Sequence, residues 1–329
     1  MPRMTEASDR VVVVGIDEAG YGPVIGPLVV SAVAFEVPQE LAGRCLWKAL
    51  SKSVVARAGD RARRIVIQDS KKIYNRKEGL GALERSVLAV ATAWRGLPAT
   101  VGEYVSFVGP ESGSAVAEYA WYRTDDLALP RAADAGSIRI ASAVLSRNLA
   151  ARDVRVVSME SEILPEGHFN RAVDATQNKA AMLFGVVLRL MRRVIAANPG
   201  CDLVFFVDKQ GGRDYYSEVL SEAFPDRALR VLEQAGDEGE YELAGGGTTW
   251  RIRFSQEGDS KHMPVALASM MSKYARELFM ERLNSYWKQF DESIAPTAGY
   301  YSDGWRFVKA ISPHARRLGF PTEHFVRAR

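Results

Sequence analysis

The sequence predicts an α/β layer fold, and three observations carry that prediction. Apolar runs rich in β-branched and aromatic residues, at 10–17, 28–36 and 202–208, have the length and composition of buried strands. Helix-period stretches alternate with them along the chain, the pattern of a sheet covered by helices. Two of the runs end in acid, Asp17 with Glu18 and then Asp208. An acid beside so apolar a strand is costly unless something pairs with it.

Composition sets bounds. The 329 residues, 47% of them hydrophobic, suffice for one large or two smaller cores. A formal charge of +3 is too small to imply a nucleic-acid partner by itself, so any basic surface must be local. Cys45 and Cys201, the only cysteines, supply neither a disulfide framework nor a zinc spacing, which suits a reducing compartment. His168, His262, His314 and His324 show no metal-ligand spacing, which argues against zinc. The leader MPRMTEASDR lacks an apolar signal core, and no segment reaches membrane-spanning length. A soluble cytoplasmic protein with no membrane partner is the expectation.

Taken in order, residues 1–9 read as a flexible leader. After the strands at 10–17 and 28–36, the spacing predicts a helix over 40–57, a short β-like piece at 64–67, and a helix over 77–95 on Leu80, Leu83, Val87 and Val90. Strand-like pieces are predicted near 101–108 and 154–158, with a helix over 138–150 between them. One long helix is predicted over 170–197, stopped by Asn198, Pro199 and Gly200. After the strand at 202–208 come a helix over 213–223, two strands within 228–254 around a polar hairpin tip, and a helix carrying Leu267, Met271, Tyr274 and Leu278 on one face. Pro264 is tolerable there only in the first turn. Asp259 sits in the loop before that helix.

The chemistry gathers at acids placed at strand ends or helix entrances: Asp17, Glu18, Asp208 and Asp259. Asp17 capping its glycine-rich turn and Glu18 staying solvated is the plain alternative. If the four converge, they repel one another without cations. With two divalent ions about 3.5–4 Å apart they would form a clamp for in-line phosphoryl displacement. Oxygen-only ligands suit a hard cation.

The segment GIDEAGYGPVIGP at 15–27 resembles the opening motif of the type 2 ribonucleases H, the ribonuclease HII family, where a GIDEAGRGP string is usual. DSKK at 69–72 is similar to its DSK motif. VDKQGGRDYYSEVLSEAFP resembles the strand, acid, helix and FP of the archaeal and eukaryotic branch. GDSKHMPVALASMMSKYAREL is similar to the family's Asp and following SAASI helix, and GYYSD in the tail resembles GYPSD of the same branch. The resemblance implies a ribonuclease H-like central mixed β-sheet flanked by helices, with a C-terminal helical region and insertions at 96–168 and 235–247. It implies a catalytic domain over 10–290 and a substrate-contacting extension over 291–329. It makes Asp17, Glu18, Asp208 and Asp259 the catalytic and metal-binding acids for Mg²⁺ or Mn²⁺. It also implies hydrolysis of the RNA strand in RNA–DNA hybrids, or of DNA with embedded ribonucleotides, leaving 5′-phosphate and 3′-hydroxyl ends. No obligate protein partner is evident.

The same resemblance assigns Gly20, Tyr21 and Gly22 to the turn that meets the ribose 2′-hydroxyl, largely through backbone groups. Tyr21 stands where the family has Arg, which removes a guanidinium from that turn. Glu277 replaces the helix Asp, Glu257-Gly258 replaces Lys-Ala, and Ala266 and Leu267 replace Ser and Ala of the SAASI string. Ser70, Lys71 and Lys72 form a basic loop suited to phosphate, with a solvated turn as the alternative. Lys273 and Arg276 lie one turn apart and are expected to face a duplex, or else simply to form an exposed helix face. Tyr300 is expected to stack on a sugar or base at the RNA–DNA junction, with a rim tyrosine as the alternative. Arg316, Arg317, Arg327 and Arg329 add basic charge, and terminal arginines usually stay hydrated. Two other functions remain open: a metal-dependent nuclease of this fold acting on another structured nucleic acid, and a non-catalytic nucleic-acid-binding module.

Overall fold

The Val11–Val14 run is uninterrupted because strand β1 (Arg10–Ala19) is covered on both faces. Val11 and Val13 pack to one side, and Val12, Val14 and Ile16 to the other. None of these side chains is more than 2% exposed. The computed structural model describes residues 10–57, 64–74, 79–123, 127–209 and 213–328. The leader expected at 1–9 lies outside the described residues, as does Arg329.

Six further strands are β2 (Leu28–Pro38), β3 (Arg155–Leu164), β4 (Asp202–Asp208), β5 (Ala228–Ala235), β6 (Glu238–Gly245) and β7 (Thr248–Ser255). They join β1 in one seven-stranded sheet of order β3-β2-β1-β4-β7-β6-β5. The centre is parallel, β1 to β4 and β4 to β7, while the pairs β1–β2, β2–β3, β7–β6 and β6–β5 are antiparallel. The helices used below are α1 (Gly81–Trp94), α2 (Val101–Val108), α3 (Ala135–Ala151), α4 (Glu166–Thr176), α5 (Lys179–Ala197), α6 (Ser217–Ala223), α7 (Met263–Lys288) and α8 (Tyr301–Arg317). α7, backed by α1 and α3, covers one face of the sheet, and α5 covers the other. The architecture is the α/β mixed sheet flanked by helices that the sequence predicts.

β1 and α7 touch at Gly15. A Cβ there would lie 2.0 Å from the carbonyl carbon of Pro264, at the start of α7. Pro264 occupies the first turn of α7, as expected. Gly15→Ala must therefore push α7 off the sheet two residues from Asp17. It is expected to cost about 1–3 kcal/mol, the range for overpacking a tight core. Urea unfolding checks this, and an unchanged midpoint would contradict the close approach.

Several local expectations are corrected. Residues 40–57 are not one helix: a 3₁₀ turn at Gln39–Leu41, a single helical turn at Leu46–Ala49 and a two-residue strand at Val54–Val55 replace it. Residues 101–108 form helix α2 instead of a strand. Thr100 Oγ1 accepts from Glu103 N–H as the N-cap, and Glu103 Oε2 accepts from Ala99 N–H at 2.7 Å, one residue before the cap. The predicted helix over 170–197 is two helices. Gln177, at φ 52°, ends α4, and Asn178 caps α5 through Ala180 and Ala181 N–H. Residues 228–255 hold three strands, because β6 runs through the stretch expected as a hairpin tip. Within 96–168, residues 155–164 form β3, which pairs with β2 as the outer strand of the sheet.

Candidate active site

The parallel register of the central strands places the acids. Ile16 lies opposite Val207, which sets the next pair, Asp17 and Asp208, side by side near the strand ends. On the other side of β4, Asp208 is opposite Ser255, the last residue of β7. The chain then turns through Glu257, at φ 54°, into the one-turn helix Gly258–Lys261 that carries Asp259. Gly258 N–H donates to Asp208 Oδ1 at 2.7 Å and ties that turn to β4. Three segments far apart in sequence thus bring acids to one end of the sheet, Asp17 and Glu18 from β1, Asp208 from β4 and Asp259 from the turn after β7.

Their electrostatics show that they act on one another. Burial, then the charges of Glu18 and Asp208, hold the Asp17 carboxyl well above the usual carboxylate range. The Ser269 hydroxyl and Glu18 N–H, 2.7 Å from Asp17 Oδ1, oppose that rise. Burial and Asp208 push Glu18 up to about 7, with Lys71 opposing. Burial and the Asp259 charge push Asp208 up to about 6, against the Gly258 N–H and Lys71. Asp259 is raised by burial and by Asp69, with Lys71 and Lys72 opposing. Like charges in a partly dry site are the common cause.

Carboxylate oxygens that repel one another are the donor chemistry of a hard divalent cation such as Mg²⁺ or Mn²⁺. On that chemistry Asp17, Glu18, Asp208 and Asp259 are the residues that would hold one. Among the described residues no group of three or more His, Cys, Asp or Glu is already drawn together as a metal cage. Repulsion opposes such an approach until positive charge is supplied. A pH dependence follows. Cation binding requires the ionised acids, and the raised pair Glu18 and Asp208 holds protons up to about 7 and about 6. Mn²⁺ affinity is therefore expected to climb from pH 6 to pH 8 with net proton release. Calorimetry in two buffers of different ionisation enthalpy checks this, and a pH-independent affinity would contradict it.

Behind the acids runs a chain of buried serines. Ser272 Oγ donates to the Asp17 carbonyl at 3.0 Å and lies 2.8 Å from Ser31 Oγ, which in turn lies 2.8 Å from Ser161 Oγ. Ser269 Oγ, one turn earlier, lies 3.1 Å from Ser70 Oγ and so links Asp17 to the basic loop. Ser269 falls within the SAASI-like string, but the sequence motifs assign no role to it or to Ser272. Their signal is two hydroxyls at i, i+3 spacing inside an apolar helix, where each must find a partner.

The basic loop sits against the acids. Asp69 caps the one-turn helix Ser70–Ile73, accepting from Lys71 N–H at 2.9 Å, and pairs with Lys72 at 3.7 Å. Ser70 is buried, while Lys71 and Lys72 are exposed. The Lys71 charge acts on Glu18, Asp208 and Asp259. Asp69, not singled out from the sequence, is a fifth acid at this edge. Lys273 lies near the loop, paired with Glu277 at 2.7 Å and 4.8 Å from the Tyr74 ring centre.

Arg276 is a correction. The sequence places it on an exposed face, and it is instead fully buried. α7 is enclosed on nearly all sides, and Arg276 Nη2 donates to the Ala298 carbonyl at 2.9 Å. Its side chain underlies Gly20, where an added Cβ would meet Arg276 Nε at 2.5 Å. Tyr300 is 49% exposed, with the Arg276 guanidinium 5.4 Å from its ring centre. In the glycine turn Gly20 has φ +85°, Tyr21 packs against the α5-side core, and Gly22 is exposed with open space beside its Cα. Arg327, expected to stay hydrated, is 3% exposed behind this turn.

No protein-family model and no curated protein matches the sequence. Among solved structures, the chain is similar to one in the PCNA:RNase HII complex from Archaeoglobus fulgidus, at 17% identity, with 97% of this chain and 95% of that chain covered and a TM-score of 0.41. It is also similar to Bst-RNase HIII in complex with Mn²⁺, at 13% identity over 96% of this chain and 66% of that one, TM-score 0.46. A third similarity is to ribonuclease H2 from Pyrococcus horikoshii OT3, at 14% identity over 96% and 92%, TM-score 0.38. Among the described residues no helix is long and apolar enough to cross a membrane.

Proposed function

We propose that this chain is a cytoplasmic, metal-dependent endoribonuclease that hydrolyses the RNA strand of RNA–DNA hybrids, including ribonucleotides embedded in DNA. The observation that carries the reading is the mutual electrostatic strain of Asp17, Glu18 and Asp208 at adjoining strand ends, with Asp259 tied in through Gly258. The sequence motifs support it independently, because they fall on these same residues. Bound Mg²⁺ or Mn²⁺ would supply the positive charge that activates a water and stabilises the leaving oxygen. The four acids hold that charge in place. Lys71 and Lys72, with Ser70, meet the phosphate backbone and fix its register. Lys273 supports that loop through Tyr74. The turn at Gly20, Tyr21 and Gly22 lets the backbone approach the ribose, and Tyr300 offers a ring for stacking at the junction. Arg276 acts from beneath the turn, not on the duplex. In the reaction water adds to phosphorus and the bond to the 3′-oxygen breaks, leaving a 3′-hydroxyl and a 5′-phosphate. Residues 10–290 carry the catalysis, residues 291–329 contact substrate, and no obligate protein partner is evident.

The test is a panel of duplexes containing one ribonucleotide, a ribonucleotide run, or none, with Mg²⁺ or Mn²⁺. Cutting at ribonucleotides supports the reading, and preferred cutting of the all-DNA duplex overturns it in favour of a nuclease for another structured nucleic acid, the alternative that Tyr21 motivates. A non-catalytic binding module is the remaining alternative, and four intact acids, which repel phosphate unless metal is present, count against it. That reading requires tight hybrid binding without metal and no turnover with it.

A further inference from the structure

Peptide geometry makes the glycine turn a consequence of residues 300 positions away. The Arg327 guanidinium donates through Nη1 to the Gly20 carbonyl and through Nη2 to the Tyr21 carbonyl, the latter at 3.0 Å. In a trans peptide the C=O and the N–H of the same plane point in opposite directions. Holding the Gly20 and Tyr21 carbonyls from one side therefore turns the N–H groups of Tyr21 and Gly22 to the other. A positive charge on those carbonyls also polarises both peptides and strengthens the N–H groups as donors.

Arg327 is itself fixed. Its guanidinium lies 3.8 Å from the Phe169 ring centre, and its own N–H donates to the Val24 carbonyl at 2.9 Å. Asn170 on α4 grips the flanking residues, accepting from Ala328 N–H at 2.6 Å and donating to the Val326 carbonyl at 2.8 Å. One turn earlier on the same helix, Glu166 Oε1 accepts from Gly26 N–H at 2.9 Å. Both ends of the turn thus depend on α4 and the segment docked on it. A planar fork with fixed donor spacing suits two successive carbonyls, which a lysine ammonium cannot match.

We propose that Arg327 is a positioning residue that presents the N–H groups of Tyr21 and Gly22 as a paired donor for a ribose hydroxyl of the substrate. The ribose half of this proposal rests on the ribonuclease reading, and the clamp half does not. The test uses the full chain as Arg327→Gln and Arg327→Lys, with two measurements. In metal-free protein, the backbone amides of Tyr21 and Gly22 are expected to lose order in Arg327→Gln, their ¹⁵N order parameters falling from about 0.85 to below about 0.6, with Arg327→Lys restoring part of the order. With Mn²⁺ and a duplex carrying one ribonucleotide, KM is expected to rise about tenfold while kcat stays within about threefold.

Unchanged order parameters overturn the clamp. A fall in kcat at constant KM, with order lost, overturns the ribose assignment. If Arg327→Gln does not fold, Asn170→Ala takes its place, because it loosens the flanking segment and leaves Arg327 present. The same two measurements then apply, and the same results support or overturn each half. Wild-type protein that cuts no ribonucleotide substrate would remove the ribonuclease reading and the ribose half with it, while the order parameters still decide the clamp.

Discussion

Asp17→Asn is expected to reduce metal-dependent cleavage by at least about 10²-fold, the scale on which one lost electrostatic group at a reacting centre is felt. Asparagine keeps the size of the side chain and can still pair with Ser269, so the change is one of charge. The same substitution is expected to leave the metal-free protein as stable or more stable at pH 8. The Asp17 carboxyl holds its proton well above the ordinary range in the fold, because of burial and then Glu18 and Asp208. A carboxyl raised in this way contributes stability below its unfolded value and loses it as pH rises through its folded value. At pH 8, far above the unfolded value, the metal-free fold carries that loss, and Asn removes it. Cleavage rates and Tm in chelator check both halves. An unchanged rate would contradict the role of the acid, and a large fall in Tm would make Asp17 a structural residue.

Glu84→Ala is expected to damage the fold severely, costing about 3–5 kcal/mol, because each buried donor it strands costs about 1–3 kcal/mol and part of that is recovered by relaxation. Glu84 on α1 is fully buried. Its carboxylate accepts from Arg131 N–H at 2.6 Å, Ala132 N–H at 2.6 Å, Ala133 N–H at 2.7 Å and the Tyr274 hydroxyl at 2.9 Å. Removing it strands three backbone donors and a hydroxyl away from water. Tyr274 lies on α7, as do Ser269 and Ser272, so the loss reaches the helix that backs Asp17. Glu84→Gln keeps one acceptor oxygen but turns an amide donor toward other donors, so it is expected to fall between wild type and Glu84→Ala. Urea denaturation measures both, and a Glu84→Ala midpoint equal to that of wild type would contradict the network.

What is legible in the sequence follows from how local each signal is. The central strands are legible because their inner positions are apolar: β1 and β2 are buried on both faces, and β4 has one buried and one half-buried face. α7 is legible from its 3.6-residue period. The acids are legible as acids at the ends of such elements, but their convergence depends on the parallel register of β1 with β4, which no local pattern states. The helix at 101–108 carries its own signal, against the strand expected there: Val101, Tyr104, Val105 and Val108 keep helical spacing, and Thr100 supplies the N-cap. The break between α4 and α5 is written in Thr176-Gln177-Asn178, a polar run with a good N-cap residue. The burial of Arg276 and Arg327 is not legible. Nothing near them in sequence shows that Ala298, Gly20 and Tyr21 supply the carbonyls that let two guanidinium groups be buried.

The most direct measurement is anomalous diffraction from crystals of the full chain soaked in Mn²⁺. Two peaks about 3.5–4 Å apart, bounded by Asp17, Glu18, Asp208 and Asp259, are the expected result. Mn²⁺ density elsewhere on the molecule, with those four side chains left apart, would contradict the proposed centre.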